Sequence, residues 1–449
     1  MSRVLIFGDF IPTGFGRICR AAAVHLQRNG HEVMGACIQY DGLLPLGLPF
    51  HVAALNGRDQ GAALTGIWGA YQPDVVLSVQ DFPYHIMARH ATGIDWSTTA
   101  HVVITPVDGA PIYSEWVNAA AAFDALLTIS EFGVKTFREQ GRTVGLCPPG
   151  VDSREFHRLD DAQRAELRGK LNIPADAFVV GVMAMNQGRK DFPSMVQGFQ
   201  RAFVDVPNAY LYLDCDRTSP AGWDIPKQLA AVEGLDVGRV RYREDAQRAG
   251  LLALNDRYNL LDVHMVLAHR EGFGLPHVEA MATGCPTVAT DYCSGREIVG
   301  DDERGALVKA RPGTLGTWGG ARDYYADMDD LTAKLRLLYD QPEERAARGA
   351  RAMAWARGRT WEHAAMAVQS AVEEVVTRRA ADLERKRQKP PDAPTAQAPI
   401  PAGMHAPAIH LHAPVYVMAN DPAGVAAGIG AAVGQQVELV EGGDGHTEA

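Results

Sequence analysis

The chain has 449 residues, of which 47% are apolar and 22% charged, so it exceeds what one hydrophobic core usually supports and two globular domains are expected. A net charge of −11 argues against a general nucleic-acid-binding surface. No stretch approaches the roughly 18–20 uninterrupted apolar residues of a membrane span. The opening run is too short for a secretory leader, and the six cysteines are scattered without CxxC spacing, which implies a cytoplasmic chain with reduced thiols.

Val4 to Gly8 is a short apolar run that reads as a buried first strand. Arg17 to Arg28 carries Ile18, Ala22 and Leu26 at helical spacing, Gly30 sits where the helix ends, and HEVMGACIQ follows as the next strand. This βαβ unit implies a parallel sheet with helices on both faces. DVVLSV (74–79), HVVITPV (101–107) and ALLTIS (125–130) continue the series, with EFGVKTFREQG as a further helix. After CPPGVDSREFHRL the alternation restarts, with strands at FVVGVMAM (178–185), AYLYLD (209–214), VHMVLAH (263–269) and PTVAT (286–290), and FPSMVQGFQRAF as a helix between them. The expected fold is α/β, with two Rossmann-like domains, 1–165 and 166–350, facing across a cleft that receives ligands at the carboxyl ends of the strands. From Thr360 a helix presents Trp361, Ala365, Val368, Val372 and Val376 on one face. The basic run Arg378 to Lys389 reads as a solvated helix end or a surface for an anionic partner. Residues 379–407 read as a Pro/Ala-rich linker, and 408–449 as a small strand–helix tail that could mediate self-association.

The stretch EGFGLPHVEAMATGCPTV (271–288) concentrates the chemistry. Pro276 suits the start of a helix, and Gly284 with Pro286 stops it. Gly272 and Gly274 let the backbone approach a ligand, and the free N–H groups of the helix start suit a phosphate. Carboxylates beside a phosphate make sense as acceptors from sugar hydroxyls. Glu271 on one side and Glu279 on the other therefore point to a nucleotide sugar. Taken alone, the pair also fits a loop residue and a solvated helix carboxylate, and Arg189-Lys190 fits ordinary surface charge. GDFIPTGFGRI sets Thr13, Gly14, Phe15 and Gly16 between a strand and a helix, where a simple connecting turn would look the same.

EGFGLPHVEAMATGCPTVATD, together with ISEFGVKTFREQG, PPGVDSREF, NQGRKDF and TWEHAA, resembles the retaining glycosyltransferases of GT-B fold, family four, over roughly residues 1–376. The resemblance implies that Lys190 and Arg189 contact the donor diphosphate without a metal, that Glu271 contacts the donor sugar and that Glu279 accepts from the ribose. It also implies a phosphate held by the backbone of Gly272, Phe273, Gly274 and Leu275, a donor loop that includes Asn186, and a first-domain loop in which Gly14, Gly16 and Arg17 face the diphosphate and acceptor. Segment 351–378 would cross back to the first domain. The place of a histidine common in the family is occupied by Pro106, Val107 and Asp108; Asp108 could substitute as a catalytic-site contact or simply form an Asp-Gly turn.

His85 could enter the cleft or be structural. Asp214, Cys215 and Asp216 form a DxD that fits an Asp-rich turn better than a metal site, and His405, His410 and His412 fit an exposed strand face better than a chelate. The expectation is transfer of a sugar, with retention, from a nucleoside-diphosphate sugar to an unidentified hydroxyl acceptor, with no cofactor required. Two alternatives are a nucleotide-sugar epimerase or phosphorylase and a non-catalytic interaction protein on the same scaffold.

Overall fold

In a computed structural model, the described residues are 1–388 apart from 41, 43–46, 56–58, 91–92, 252 and 316–319. The apolar runs of the first half become β1 (Arg3–Gly8), β2 (Glu32–Cys37), β3 (Val52–Ala54), β4 (Val75–Val79), β5 (Ala100–Thr105), β6 (Ala125–Thr128) and β7 (Gly145–Leu146). They form a seven-stranded sheet in the order β3-β2-β1-β4-β5-β6-β7, with every neighbouring pair parallel. β4 and β5 are buried along their whole length, which is why they read as unbroken apolar runs rather than alternating ones.

The second half repeats the plan with β8 (Phe178–Met183), β9 (Ala209–Asp214), β10 (Val240–Tyr242), β11 (Val263–Val266), β12 (Thr287–Thr290) and β13 (Gly305–Val308), in the order β10-β9-β8-β11-β12-β13. Each sheet reverses its strand order once, beside β1 and β4 in the first and beside β8 and β11 in the second. Those are the points where loops diverge to leave a crevice. The two Rossmann-like domains expected from the sequence are therefore present.

Three features depart from the expected organisation. The helix Asp161–Lys170 straddles the anticipated 165/166 boundary and belongs with the second sheet, since Arg164 and Arg168 pair with Asp262 at 3.2 and 2.8 Å. An antiparallel hairpin, β14 (Ala310–Leu315) and β15 (Arg322–Ala326), leaves the second domain and reaches the first, where the Arg322 amide donates to the Ala110 carbonyl at 3.0 Å. The last helix, Trp361–Gln388, continues into the segment expected to be linker.

This helix packs on Gly14–Arg28, burying Ala364, Val368 and Val372 in the same core as Ile18, Ala22 and Leu26. Arg379 fastens it with two bonds to Asp124, at 2.8 and 3.0 Å. The linker beyond 388, the tail and His405, His410 and His412 lie outside the described residues. All six cysteines are buried and free, and no described helix is long and apolar enough to cross a membrane.

His85 lies in the first-domain core. Ser78 Oγ bridges His85 Nδ1 at 2.9 Å and His101 Nε2 at 2.8 Å, while His85 Nε2 meets the Gln80 carbonyl at 2.8 Å. Burial pushes His85 down to about 3 and His277 down to about 4, and lowers His101 and His264 as well. A histidine depressed in this way stays neutral when folded but takes a proton when unfolded, so stability falls as pH drops below the unfolded value near 6.5. His85 and His277 should each contribute about 2 kcal/mol of destabilisation at pH 5. The melting temperature should drop between pH 6.5 and 5, and Ser78→Ala/His85→Phe/His101→Phe, compared with its own value at pH 7.5, should drop less.

Candidate active site

On the second-domain side, the chain leaves β8 and makes a single tight turn, Gly188–Lys190, that delivers two cations to the crevice. Lys190 Nζ pairs with Glu271 Oε2, and Arg189 lies 3.5 Å from the same oxygen while donating to the Arg270 carbonyl at 2.8 Å. Burial would push Glu271 up, but Lys190 and Arg189 outweigh it and hold the carboxyl at about 2. Burial also pulls Lys190 below its ordinary range. Glu271 is thus a permanent anion that fixes two cations in place.

Gly274 has φ +95°, which an L side chain rarely adopts, and a Cβ there would stand 2.9 Å from the His277 ring. A Cβ on Gly272 would stand 2.6 Å from Asp108 Oδ1 and 2.8 Å from Pro106, so only glycine lets this loop slide beneath the first domain. Ser294 Oγ donates to the Phe273 carbonyl at 2.7 Å and braces the turn. The Phe273 ring itself is buried in the core, leaving backbone to face the crevice.

The helix Leu275–Ala282 then carries Glu279, which is almost fully buried. Tyr258 donates to Glu279 Oε2 at 2.7 Å, and Arg17, from the other domain, pairs with Oε1. Burial raises the Glu279 carboxyl, and Arg17 offsets that only in part.

The first-domain side is built on the turn after β1. Thr13 Oγ1 donates to Asp9 Oδ2 at 2.7 Å and accepts from the Gly16 amide at 3.0 Å, capping the helix Gly14–Arg28. A Cβ on Gly16 would stand 1.9 Å from the Ile11 carbonyl oxygen, so Gly16 is demanded by the turn. Gly14 faces the crevice: a Cβ there would meet Leu275 at 3.4 Å.

The turns after β4 and β5 bring Asp81 and Asp108 to a narrow crevice also lined by Trp116, Arg270 and Ala321 of the hairpin. Trp116 stacks on Phe82, with ring centroids 5.1 Å apart and planes 9° from parallel. Burial, with Asp108 adding to it and Arg189 opposing, pushes the Asp81 carboxyl up to about 7.

The structure therefore brings together Glu271, Lys190, Arg189, Asp108, Gly272, Gly274, Leu275, Glu279 and Gly14. It gives Asn186 a different occupation. That side chain donates to the Asp216 and Trp223 carbonyls at 2.9 and 2.7 Å and accepts from the Trp223 amide at 2.8 Å, so it braces two loops.

Asp214 is held by Arg257 at 2.8 Å and by Tyr212, and Asp216 by Arg243, so the two carboxylates of the DxD serve separate ion pairs. Among the described residues no group of three or more His, Cys, Asp or Glu side chains could hold a metal ion. Sequence reasoning passed over Asp81 and Tyr258 as site residues. Asp81 had a usable signal, an acidic residue just past the carboxyl end of a buried strand, as Asp108 is; Tyr258 had none.

Residues 252–314 match the family model described as Glycosyl transferases group 1. The D-inositol 3-phosphate glycosyltransferase of Kineococcus radiotolerans is 32% identical over 244 residues, which is 53% of this chain and 53% of that protein. The serotype-specific mannosyltransferase WbdA of Escherichia coli is 25% identical over 248 residues, 51% of this chain and 30% of that protein. The chain spans about half the length, or less, of the curated relatives it matches.

Among solved structures, HepE of Anabaena in complex with UDP-glucose superposes with a TM-score of 0.64 at 16% identity, covering 83% of this chain and 100% of that one. The glycosyltransferase WaaG, involved in lipopolysaccharide biosynthesis, gives 0.58 at 16% identity, covering 82% and 98%. Identities this low speak to the fold. The chain thus has the two-domain GT-B fold, and its segment 252–314, which carries Glu271, the glycine loop and Glu279, is a glycosyl transferases group 1 segment.

Proposed function

We propose that the protein transfers a sugar from a nucleoside-diphosphate sugar to a hydroxyl acceptor with retention of anomeric configuration. The observation that carries this reading is the cluster of Lys190 and Arg189 on Glu271, set beside the Gly272–Leu275 loop and one helical turn from the buried Glu279. Fixed cations beside free backbone N–H groups suit a diphosphate, and they stabilise the charge that develops on it as the sugar departs. Glu271 serves the donor sugar hydroxyls and Glu279 the ribose. The names of the curated relatives, which are glycosyltransferases, and the UDP-glucose bound in the HepE structure support a nucleotide-sugar donor.

In this reading, the reaction needs no separate general base. The acceptor hydroxyl attacks the anomeric carbon from the face that the leaving diphosphate vacates, and its proton passes to the departing phosphate oxygen. Lys190 and Arg189 stabilise that oxygen, and the Gly14 loop closes over the diphosphate to keep out water.

Lys190→Ala and Glu279→Gln should each reduce transfer by about 100-fold or more while far-UV circular dichroism stays native. Unchanged transfer in both variants removes the donor site. Proton NMR of the product glycoside should show the anomeric configuration of the donor; inversion refutes the proposed route.

Asp81 adds a pH signature. A diphosphate on Arg189 and Lys190 brings negative charge toward a carboxyl already pushed up to about 7, and so raises it further. Binding should then take up a proton, with affinity strengthening as pH falls from about 9 toward 7 and levelling below that. Isothermal titration of a bound nucleotide sugar in buffers of different ionisation enthalpy reads the uptake, and Asp81→Asn should abolish it.

A further inference from the structure

Arg17 and Glu279 belong to opposite domains and meet across the crevice as an ion pair, with side chains 23% and 7% exposed. The other Glu279 oxygen accepts from Tyr258, which is only 1% exposed and lies on the core side. The Arg17 guanidinium also sits over the Phe156 ring, 5.5 Å from its centroid, and Phe156 belongs to the segment joining the two domains. One helical turn earlier, Gly14 faces Leu275 at the start of the Glu279 helix. Arg17 is thus the more exposed partner, and Tyr258 is the buried one.

We propose that Arg17 is a positioning residue that competes with the donor for Glu279. It fastens the two domains together when the site is empty, and it yields Glu279 Oε1 when a ribose hydroxyl arrives. This rests on reading Glu279 as the ribose acceptor. Each donor molecule must displace a charge-assisted contact before it gains its own, so the pair weakens donor binding and holds the first-domain loop in place only until the donor arrives.

The test uses Arg17→Gln and Arg17→Lys in the full chain, with UDP, GDP, ADP and CDP as probes in isothermal titration. The nucleotide that binds the unaltered protein should bind Arg17→Gln about tenfold more tightly, and Arg17→Lys by an intermediate amount. Small-angle scattering of the empty glutamine variant should give a larger radius of gyration. With the matching nucleotide sugar, KM for donor should fall, whereas a merely structural arginine would lower stability without tightening the nucleotide.

Equal or weaker nucleotide binding by the glutamine variant, with an unchanged radius of gyration, overturns the proposal and leaves the donor reading standing. Failure of all four nucleotides to bind either the unaltered protein or the variants overturns the ribose reading of Glu279, and the competition with it. Should the glutamine variant not fold, Arg17→Lys carries the same comparison.

Discussion

Two carboxylates at the seam between two domains, Glu279 buried and Glu271 partly so, are the constraint on which this site depends. Removing a charged group from water is costly unless a partner or a proton compensates, and the two glutamates meet that demand differently. Glu271 has two cations from its own domain and is held at about 2, so its charge is independent of what the other domain does. Glu279 has one cation, Arg17, from the opposite domain, and burial still lifts its carboxyl. The state of Glu279 is therefore tied to the separation of the domains in a way that of Glu271 is not. One glutamate is a fixture of the second domain, and the other is tied to the first.

That coupling requires the domains to approach closely, and glycine makes the approach possible. Gly272 passes beneath Asp108, and Gly14 passes over Leu275. A larger residue at Gly272 would push against Asp108 Oδ1 and Pro106 and wedge the crevice open. The hairpin β14–β15 works on the same seam from another direction, with its Arg322 amide on the Ala110 carbonyl and Ala321 against the crevice. Tyr292 adds a stack on Tyr324, with ring centroids 3.9 Å apart, while its hydroxyl accepts from the Ala110 amide at 2.9 Å. The long helix Trp361–Gln388 closes the circuit by returning to the first domain.

Much of this architecture was legible in the sequence because parallel strands covered on both faces leave unbroken apolar runs. β1, β4, β5, β8 and β9 are of that kind. β3 and β10, each three residues long, offer no such run, and the hairpin, with exposed residues throughout β14, carries no apolar signature. At the site, the loop chemistry of EGFGLP could be read locally because glycine, proline and a helix start are local properties. Partners could not: Arg17 and Glu279 are separated by 262 positions, and Tyr258 precedes Glu279 by 21. Asn186 illustrates the opposite limit, since its place in a basic loop suggested ligand contact while its amide is engaged by Asp216 and Trp223.

The charge balance around the crevice explains why the two cations are paired with Glu271. Two unpaired cations at this depth would repel each other, displacing the arginine and favouring loss of the lysine proton, whereas Glu271 holds both at one oxygen with no rearrangement left to make. Pairing with Glu271 lowers the net attraction for an anion, and Asp81 and Asp108 on the facing domain lower it further. The elevated Asp81 carboxyl relieves part of that opposition, since near neutral pH it is only partly ionised and can become neutral as negative charge approaches. The crevice is thus a rigid cationic floor under an acidic roof that can shed charge. An anion held there is attracted by backbone amides and fixed cations while the roof accommodates it by a proton rather than by movement.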